Sequence, residues 1–227
     1  MSSSYRLIAA VVLIAASPLF AGEADLFEAP KLKDIAIDGK ADDWGDKGLK
    51  VAGMTDGSGK KLPAENFEVS FRLGWDEKGL LIIVTVTDDV ALESAEKPQD
   101  LWKSDSIEIF AADKKGGEIC YQAVISPGRD KNKPELRSNL SDYRKEKKNK
   151  LAIETQSTVT DKGYVIEARL PWTNLNIEAA ENTEIGFQFF ANDVDKEGDR
   201  YQALWFPKSD IHADKNNMQR IKLGGEK

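Results

Sequence analysis

Apolar and polar residues alternate at period two in many stretches of this chain, and helical periodicity hardly appears. Ile35 and Ile37 alternate before an Asp38-Gly39 turn. Phe67, Val69, Phe71, Leu73 and Trp75 share one face of a predicted strand, with Glu68, Ser70 and Arg72 on the other. The turn Asp76-Glu77-Lys78-Gly79 leads into Leu80 to Val86, apolar on both faces and so expected to be central; the two runs predict a hairpin. Ser106 to Ala111, Gly117 to Ser126, Leu151 to Val159, Tyr164 to Leu170, Ile185 to Ala191, Tyr201 to Phe206 and Met218 to Leu223 read the same way. About ten short strands separated by turn signals predict an all-β fold, a two-sheet antiparallel sandwich of jelly-roll type.

Two segments break the pattern. Lys40 to Asn66 is rich in Gly, Asp and Lys. Arg129 to Lys150 is polar and basic, with Asp130, Glu135, Asp142 and Glu146 diluting its charge. It reads as a solvated loop, or a short exposed helix around Ser141–Lys148, with a groove for an anionic polymer as the sharper alternative. No Pro-, Gly- or Ser-rich linker divides the chain, and no internal repeat is visible.

The N-terminus is different in kind. Arg6 precedes an apolar run from Leu7 to Ala16 and then Ser17-Pro18-Leu19-Phe20-Ala21. The run is shorter than the roughly 20 residues a spanning helix takes, so it reads as a signal peptide cut after Ala21 or, alternatively, Ala24. The expected organisation is a signal peptide over 1–21 and one domain over 22–227, secreted or periplasmic, with no membrane association after cleavage. Removing 1–21 takes away Arg6 and moves the formal charge from −7 to −7 − 1 = −8.

Composition narrows the chemistry. One His (His212) cannot make a two-imidazole zinc site, and one Cys (Cys120) cannot make an internal disulfide or a zinc ribbon. The acidic balance argues against a nucleic-acid partner. Carboxylates and five Trp remain. Trp75, Trp44 and Trp172 sit where core residues are expected: at the end of an apolar strand face, near an edge, and at a strand exit. Trp102, in the polar approach Gln99 to Asp105, and Trp205, where a strand leaves the sheet, are better placed to offer an aromatic plate to a ligand such as a sugar, whose C–H faces lie on flat rings.

These residues carry a resemblance. Ile37 to Trp44, Leu81 to Asp89, Trp102 to Phe110, Gly163 to Trp172, Ile185-Gly186-Phe187 up to Asn192-Asp193, and Arg200 through Trp205 together resemble a family 9 carbohydrate-binding module, the type found in xylanases. The resemblance spans roughly Lys33 to Leu223 and rests on the order and spacing of its segments. It implies a β-sandwich binding a sugar between two facing Trp rings, here Trp102 and Trp205, with Glu108, Arg129, Gln188 and Gln202 around it. It also implies structural calcium, for which Asp88, Asp89, Asp105 and Asp193 are available, and no organic cofactor. The implied partners are a polysaccharide or oligosaccharide and a glycoside hydrolase acting in carbohydrate catabolism; the domain itself is expected to be non-catalytic.

Two other classes stand beside this one. A hydrolase, or an accessory with weak O-glycosyl hydrolase activity, needs two carboxylates about 5–9.5 Å apart, and the sequence singles out no such pair. Related sandwich domains of secreted redox proteins bind haem, for which His212, Met54, Met218 or a Lys would have to ligate iron.

Overall fold

The computed structural model describes residues 26–118, 121–144, 150–206, 208–211 and 214–226. The signal-peptide expectation, Cys120 and His212 lie outside them. The described residues form a nearly all-β fold of twelve strands: β1 Leu26–Lys31, β2 Leu49–Ala52, β3 Phe67–Trp75, β4 Gly79–Asp88, β5 Ser106–Ala112, β6 Tyr121–Ser126, β7 Arg137–Ser141, β8 Glu154–Thr160, β9 Gly163–Pro171, β10 Glu184–Lys196, β11 Asp199–Leu204 and β12 Gln219–Glu226. Nine of the ten predicted strands are present, most with ends shifted by a few residues. Ile35 and Ile37 are not in a strand. They pack with Leu32, Trp44, Leu81 and Ile83 in a separate cluster on the outer face of β4. Three strands escaped the periodicity. β1 is too short and charged, and β2 and β7 lie in the two irregular segments, where a few paired residues are outnumbered by loop.

The expected sandwich is present, and its two layers are the halves of one continuous curled sheet in the order β7-β6-β5-β10-β12-β1-β3-β4-β9-β8, with β11 beside β10 and β2 beside β3. β1 is the hinge. It pairs parallel with β12 from Leu26 to Ala29, its register shifts between Ala29 and Lys31, and Lys31 then pairs parallel with Trp75 of β3. Pro30 stands at that shift. It has no N–H to give to a ladder, so the β12 register slips there; beyond it Lys31 pairs with Glu226 of β12 as well as with Trp75 of β3.

Inside the curl, alternate residues of both halves meet. Phe71, Ile82, Val84 and Ile166 face Ile107, Ile109, Ala123, Phe187 and Phe189 in the main core. The Phe71 and Phe189 rings are 4.6 Å apart. Trp75 and Trp172 plug one end at 6.4 Å, and Trp44 is buried outside β4. Glu167 explains why the chain winds around Trp44. Its carboxylate is wholly buried and accepts hydrogen bonds from the Trp44 indole at 2.7 Å and from the backbone N–H groups of Asp38 and Gly39 at 2.9 and 3.0 Å. Gly39 has φ near +78° and a Cβ there would meet the Ser157 backbone at 3.0 Å, so a glycine is required.

Four cations of the basic segment from Arg129 are paired among the described residues. Arg129 pairs with Asp88, Lys133 with Glu96, Arg137 with Glu93 and Arg144 with Asp142. Ser141 ends β7, and residues 145–148 of the suggested helix are outside the described set. Among the described residues no helix is long and apolar enough to cross a membrane.

Candidate functional site

The sheet β6-β5-β10-β11 has two sides, and its residue parity decides what each side does. Ile107, Ile109, Ala123, Phe187, Phe189, Ala191 and Ala203 point to the core. Their neighbours Glu108, Phe110, Gln122, Val124, Phe190, Arg200 and Gln202 line a cleft of about 330 Å³ on the opposite side. That volume is at the lower end of small-ligand sites. The short 3-10 turn Pro98–Lys103 brings Trp102 to the rim, and the chain beyond β7 brings Tyr143. Both residues are exposed, Trp102 at 38% and Tyr143 at 46%. Phe110 and Phe190, with centroids 4.9 Å apart, make an apolar part of the wall.

Glu108 is the polar centre of the cleft. It is 4% exposed. Its Oε2 accepts from Gln122 Nε2 at 2.6 Å, and its Oε1 accepts from Asn192 Nδ2 at 2.9 Å and Gln202 Nε2 at 3.0 Å. Burial pushes its pKa up, while the amide donors and Arg200 pull the other way. Tyr143 donates its hydroxyl to Gln122 Oε1 at 2.6 Å, so the rim ring is coupled to the same network. Arg200 lies over the Trp102 ring at 4.8 Å and donates through Nη1 to Asn192 Oδ1 and to the Trp102 carbonyl at 3.1 and 3.2 Å. Burial lowers its pKa and Glu108 raises it.

The structure therefore brings together Trp102, Glu108 and Gln202. It does not bring Trp205, Arg129 or Gln188 to them, and each departure has a local cause. Trp205 follows β11 with the parity of Tyr201 and Ala203, so its ring turns inward, 5.0 Å from Phe27, 5.6 Å from Phe71 and 5.8 Å from Phe187. The two indoles do not face each other across the cleft. Gln188 is wholly buried and spends its amide on the backbone, donating to the carbonyls of Phe206 and Asn217 and accepting from the Phe206 N–H. Arg129 pairs with Asp88 at 2.8 Å and donates to the Asp88 carbonyl. Sequence reasoning missed Asn192, Gln122, Tyr143 and Arg200. The parity of β11 could have found Arg200, which shares a face with Gln202.

A second polar centre lies between the two halves of the curl. Asp88 ends β4, Asp105 precedes β5 and Asp193 is on β10, one residue past Asn192 and so on the inner side. These three buried carboxylates can place oxygens within 4.8 Å of one another. Burial and mutual repulsion raise Asp105 to about 9 and Asp193 to about 7. Asp193 Oδ1 and the Tyr164 hydroxyl are buried without a hydrogen-bond partner. Asp105 also fixes backbone, accepting from Leu92 and Val194 N–H at 2.7 and 3.0 Å. Three carboxylates against one guanidinium, with an oxygen left over, fit a hard divalent cation, which takes oxygen ligands only. Asp89 stays outside the group, accepting from Asn66 at 2.9 Å. Of the residues considered for haem, Met218 is wholly buried in a cluster with Phe110 and Phe190, and Met54 is buried in the main core.

Comparison with known proteins follows the same segments. A family model described as carbohydrate family 9 binding domain-like matches residues 37–224. An exoglucanase, XynX, from Acetivibrio thermocellus is 27% identical over 165 residues, 72% of this chain and 14% of the relative. An endo-1,4-beta-xylanase A from Thermotoga neapolitana is 27% identical over 168 residues, again 72% of this chain and 14% of the relative. The chain thus matches about one seventh of each of these curated relatives. Among solved structures, a family 9 carbohydrate-binding module from Caldicellulosiruptor kristjanssonii in complex with cellotriose superposes with a TM-score of 0.67 at 19% identity, covering 89% of this chain and 95% of that one. Its complex with glucose gives 0.67 at 20% identity, covering 89% and 97%.

Proposed function

The chain belongs to the carbohydrate family 9 binding domains, and on that premise we propose that it is a secreted, non-catalytic module that holds a sugar in the cleft over Glu108. The observation that carries this reading is the sharing of one cleft by an accessible indole and a buried carboxylate already organised by three amides. Trp102 offers the apolar plate, and Phe110 and Phe190 offer apolar wall. A carboxylate has about four lone-pair sites, and three are taken, so Glu108 retains one for a sugar hydroxyl. Gln122, Asn192 and Gln202 hold it in place, so little ordering is left to be done on binding. Among the described residues Glu108 is the one carboxylate lining the cleft. A hydrolytic pair would need a second.

Three finer readings go with this one. The relatives that share these segments are named as an exoglucanase and xylanases, which supports a role beside glycoside hydrolases that break down polysaccharide. The apolar run Leu7–Ala16 supports export. The Asp88, Asp105 and Asp193 group supports a structural calcium that would tie β4 of one half to β5 and β10 of the other. The deciding experiment is a glycan array followed by calorimetry on residues 22–227, native and Trp102→Ala. The reading expects saturable binding to a β-linked glucan or xylan fragment by the native chain and its loss in the variant with unchanged circular dichroism. Equal binding by both would overturn it.

A further inference from the structure

Arg200 is the sole cation among the described residues that line the cleft, and no carboxylate of a described residue pairs with it. Both of its hydrogen bonds leave from Nη1, to the Trp102 carbonyl and Asn192 Oδ1. The edge formed by Nε and Nη2 has no partner among the described residues. That edge is the planar fork that meets a carboxylate side-on. The same chain shows what the fork does when an acid is present. Arg220 donates to Glu184 from Nε at 3.0 Å and from Nη2 at 2.8 and 3.0 Å, and Arg144 donates to Asp142 from Nε at 2.9 Å and Nη2 at 2.6 Å. At Arg200 the fork is left open in a ligand cleft.

The guanidinium also lies over Trp102. Its carbon is 4.8 Å from the ring centroid, so no sugar fits between the two, and a ligand that stacks on that face must displace Arg200. Displacement gives up a cation–π contact and two hydrogen bonds to neutral oxygens. A neutral sugar returns hydroxyl contacts of the same ordinary strength. A sugar with a carboxylate returns two charge-assisted bonds, which are roughly twice as strong. Glu108 in the same cleft repels a second carboxylate, so the preference rests on the two charge-assisted bonds of the fork outweighing that repulsion.

We propose that the cleft selects a sugar bearing a carboxylate, a uronate unit, and that Arg200 is the residue that reads it. This rests on the sugar-binding role proposed above and adds the class of sugar. Hydroxyls meet Glu108, the apolar face meets Trp102 once Arg200 swings aside, and the swung guanidinium closes its open fork on the ligand carboxylate. Lys103, 5.3 Å from the same ring, does not compete, because it is held by Asp100 at 2.7 Å.

The test is calorimetry with glucose and glucuronate, which differ at C6 alone, and with cellobiose and its uronate-terminated counterpart. The native chain is expected to bind each uronate about tenfold more tightly than its neutral partner, with the preference shrinking as salt is added. Arg200→Gln uncovers Trp102 and removes the fork. It is expected to weaken glucuronate much more than glucose, so the ratio falls to about one. A merely structural Arg200 would move both sugars together. Equal or tighter binding of the neutral sugars by the native chain, or an unchanged ratio in the variant, overturns the proposal while leaving sugar binding intact. Binding of neither class by a folded native chain overturns both.

Discussion

Gln202 and Trp205 stand three positions apart on one stretch of chain and serve opposite sides of the sheet: the Gln202 amide donates to Glu108 in the cleft at 3.0 Å, while the half-buried Trp205 ring packs against Phe27 at the margin of the main core, 5.0 Å away. The two indoles once expected to face each other across a ligand should therefore fail differently when removed. Trp102→Ala is expected to weaken sugar binding at least tenfold with stability changed by less than about 0.5 kcal/mol, as for an accessible side chain. Trp205→Ala empties a site among Phe27, Phe71 and Phe187 and is expected to cost roughly 3 kcal/mol. Urea unfolding and calorimetry on the same two variants separate the effects, and a Trp205→Ala chain of native stability would contradict the placement.

Glu108→Gln keeps the shape of the side chain and changes what it can accept. An amide nitrogen replaces one carboxylate oxygen, yet Gln122, Asn192 and Gln202 all present N–H donors. At least one donor loses its acceptor, at about 1–3 kcal/mol. The variant is expected to lose both stability and sugar affinity, read by thermal unfolding and calorimetry. Tighter binding would show that the carboxylate opposes the ligand.

The aspartate group should make stability depend on pH and on divalent ions together. Asp105 and Asp193 have folded pKa values raised from 3.8 to about 9 and about 7. A raised value means the folded state holds protons the unfolded state has released. Without a cation, stability is full below about pH 4 for these two groups and is lost as pH rises through about 7 and then about 9. A bound calcium replaces those protons. The rise in melting temperature on adding calcium is therefore expected to grow between pH 5 and pH 8, to reverse with a chelator, and to shrink in Asp193→Asn. Melting curves indifferent to calcium across that range would remove the proposed site.

Glu167 pins the Asp38–Trp44 turn from beneath. In Glu167→Gln, an amide nitrogen must face either the Trp44 indole or the N–H groups of Asp38 and Gly39. The expected cost is roughly 1–3 kcal/mol with no change in sugar affinity, measured by denaturant unfolding. Reduced affinity in a stable Glu167→Gln chain would mean the turn communicates with the cleft.

Period-two alternation made Phe67–Trp75 and its partner β4 legible, because each buries a regular face. It could not reveal β1, whose pairing depends on the far end of the chain, nor β7, whose residues are only half-buried. At the site, Trp102 stood out from its polar segment, whereas Glu108 came from the resemblance alone. Trp205 was misplaced because its parity with Tyr201 and Ala203 was outweighed by the resemblance. Asn192 and Gln122 carried no local signal; they matter because β10 and β6 flank β5, a pairing no single segment contains.

The parallel pairing of β1 with β12 has a mechanical meaning. Leu26 lies beside Arg220 and Lys31 beside Glu226, so the chain enters the fold at one end of this strand pair and leaves it at the other. Tension applied through the two ends runs along the pair. It slides one strand against the other and loads their hydrogen bonds together, instead of peeling them apart singly. A fold strung this way resists a pull between its first and last strands.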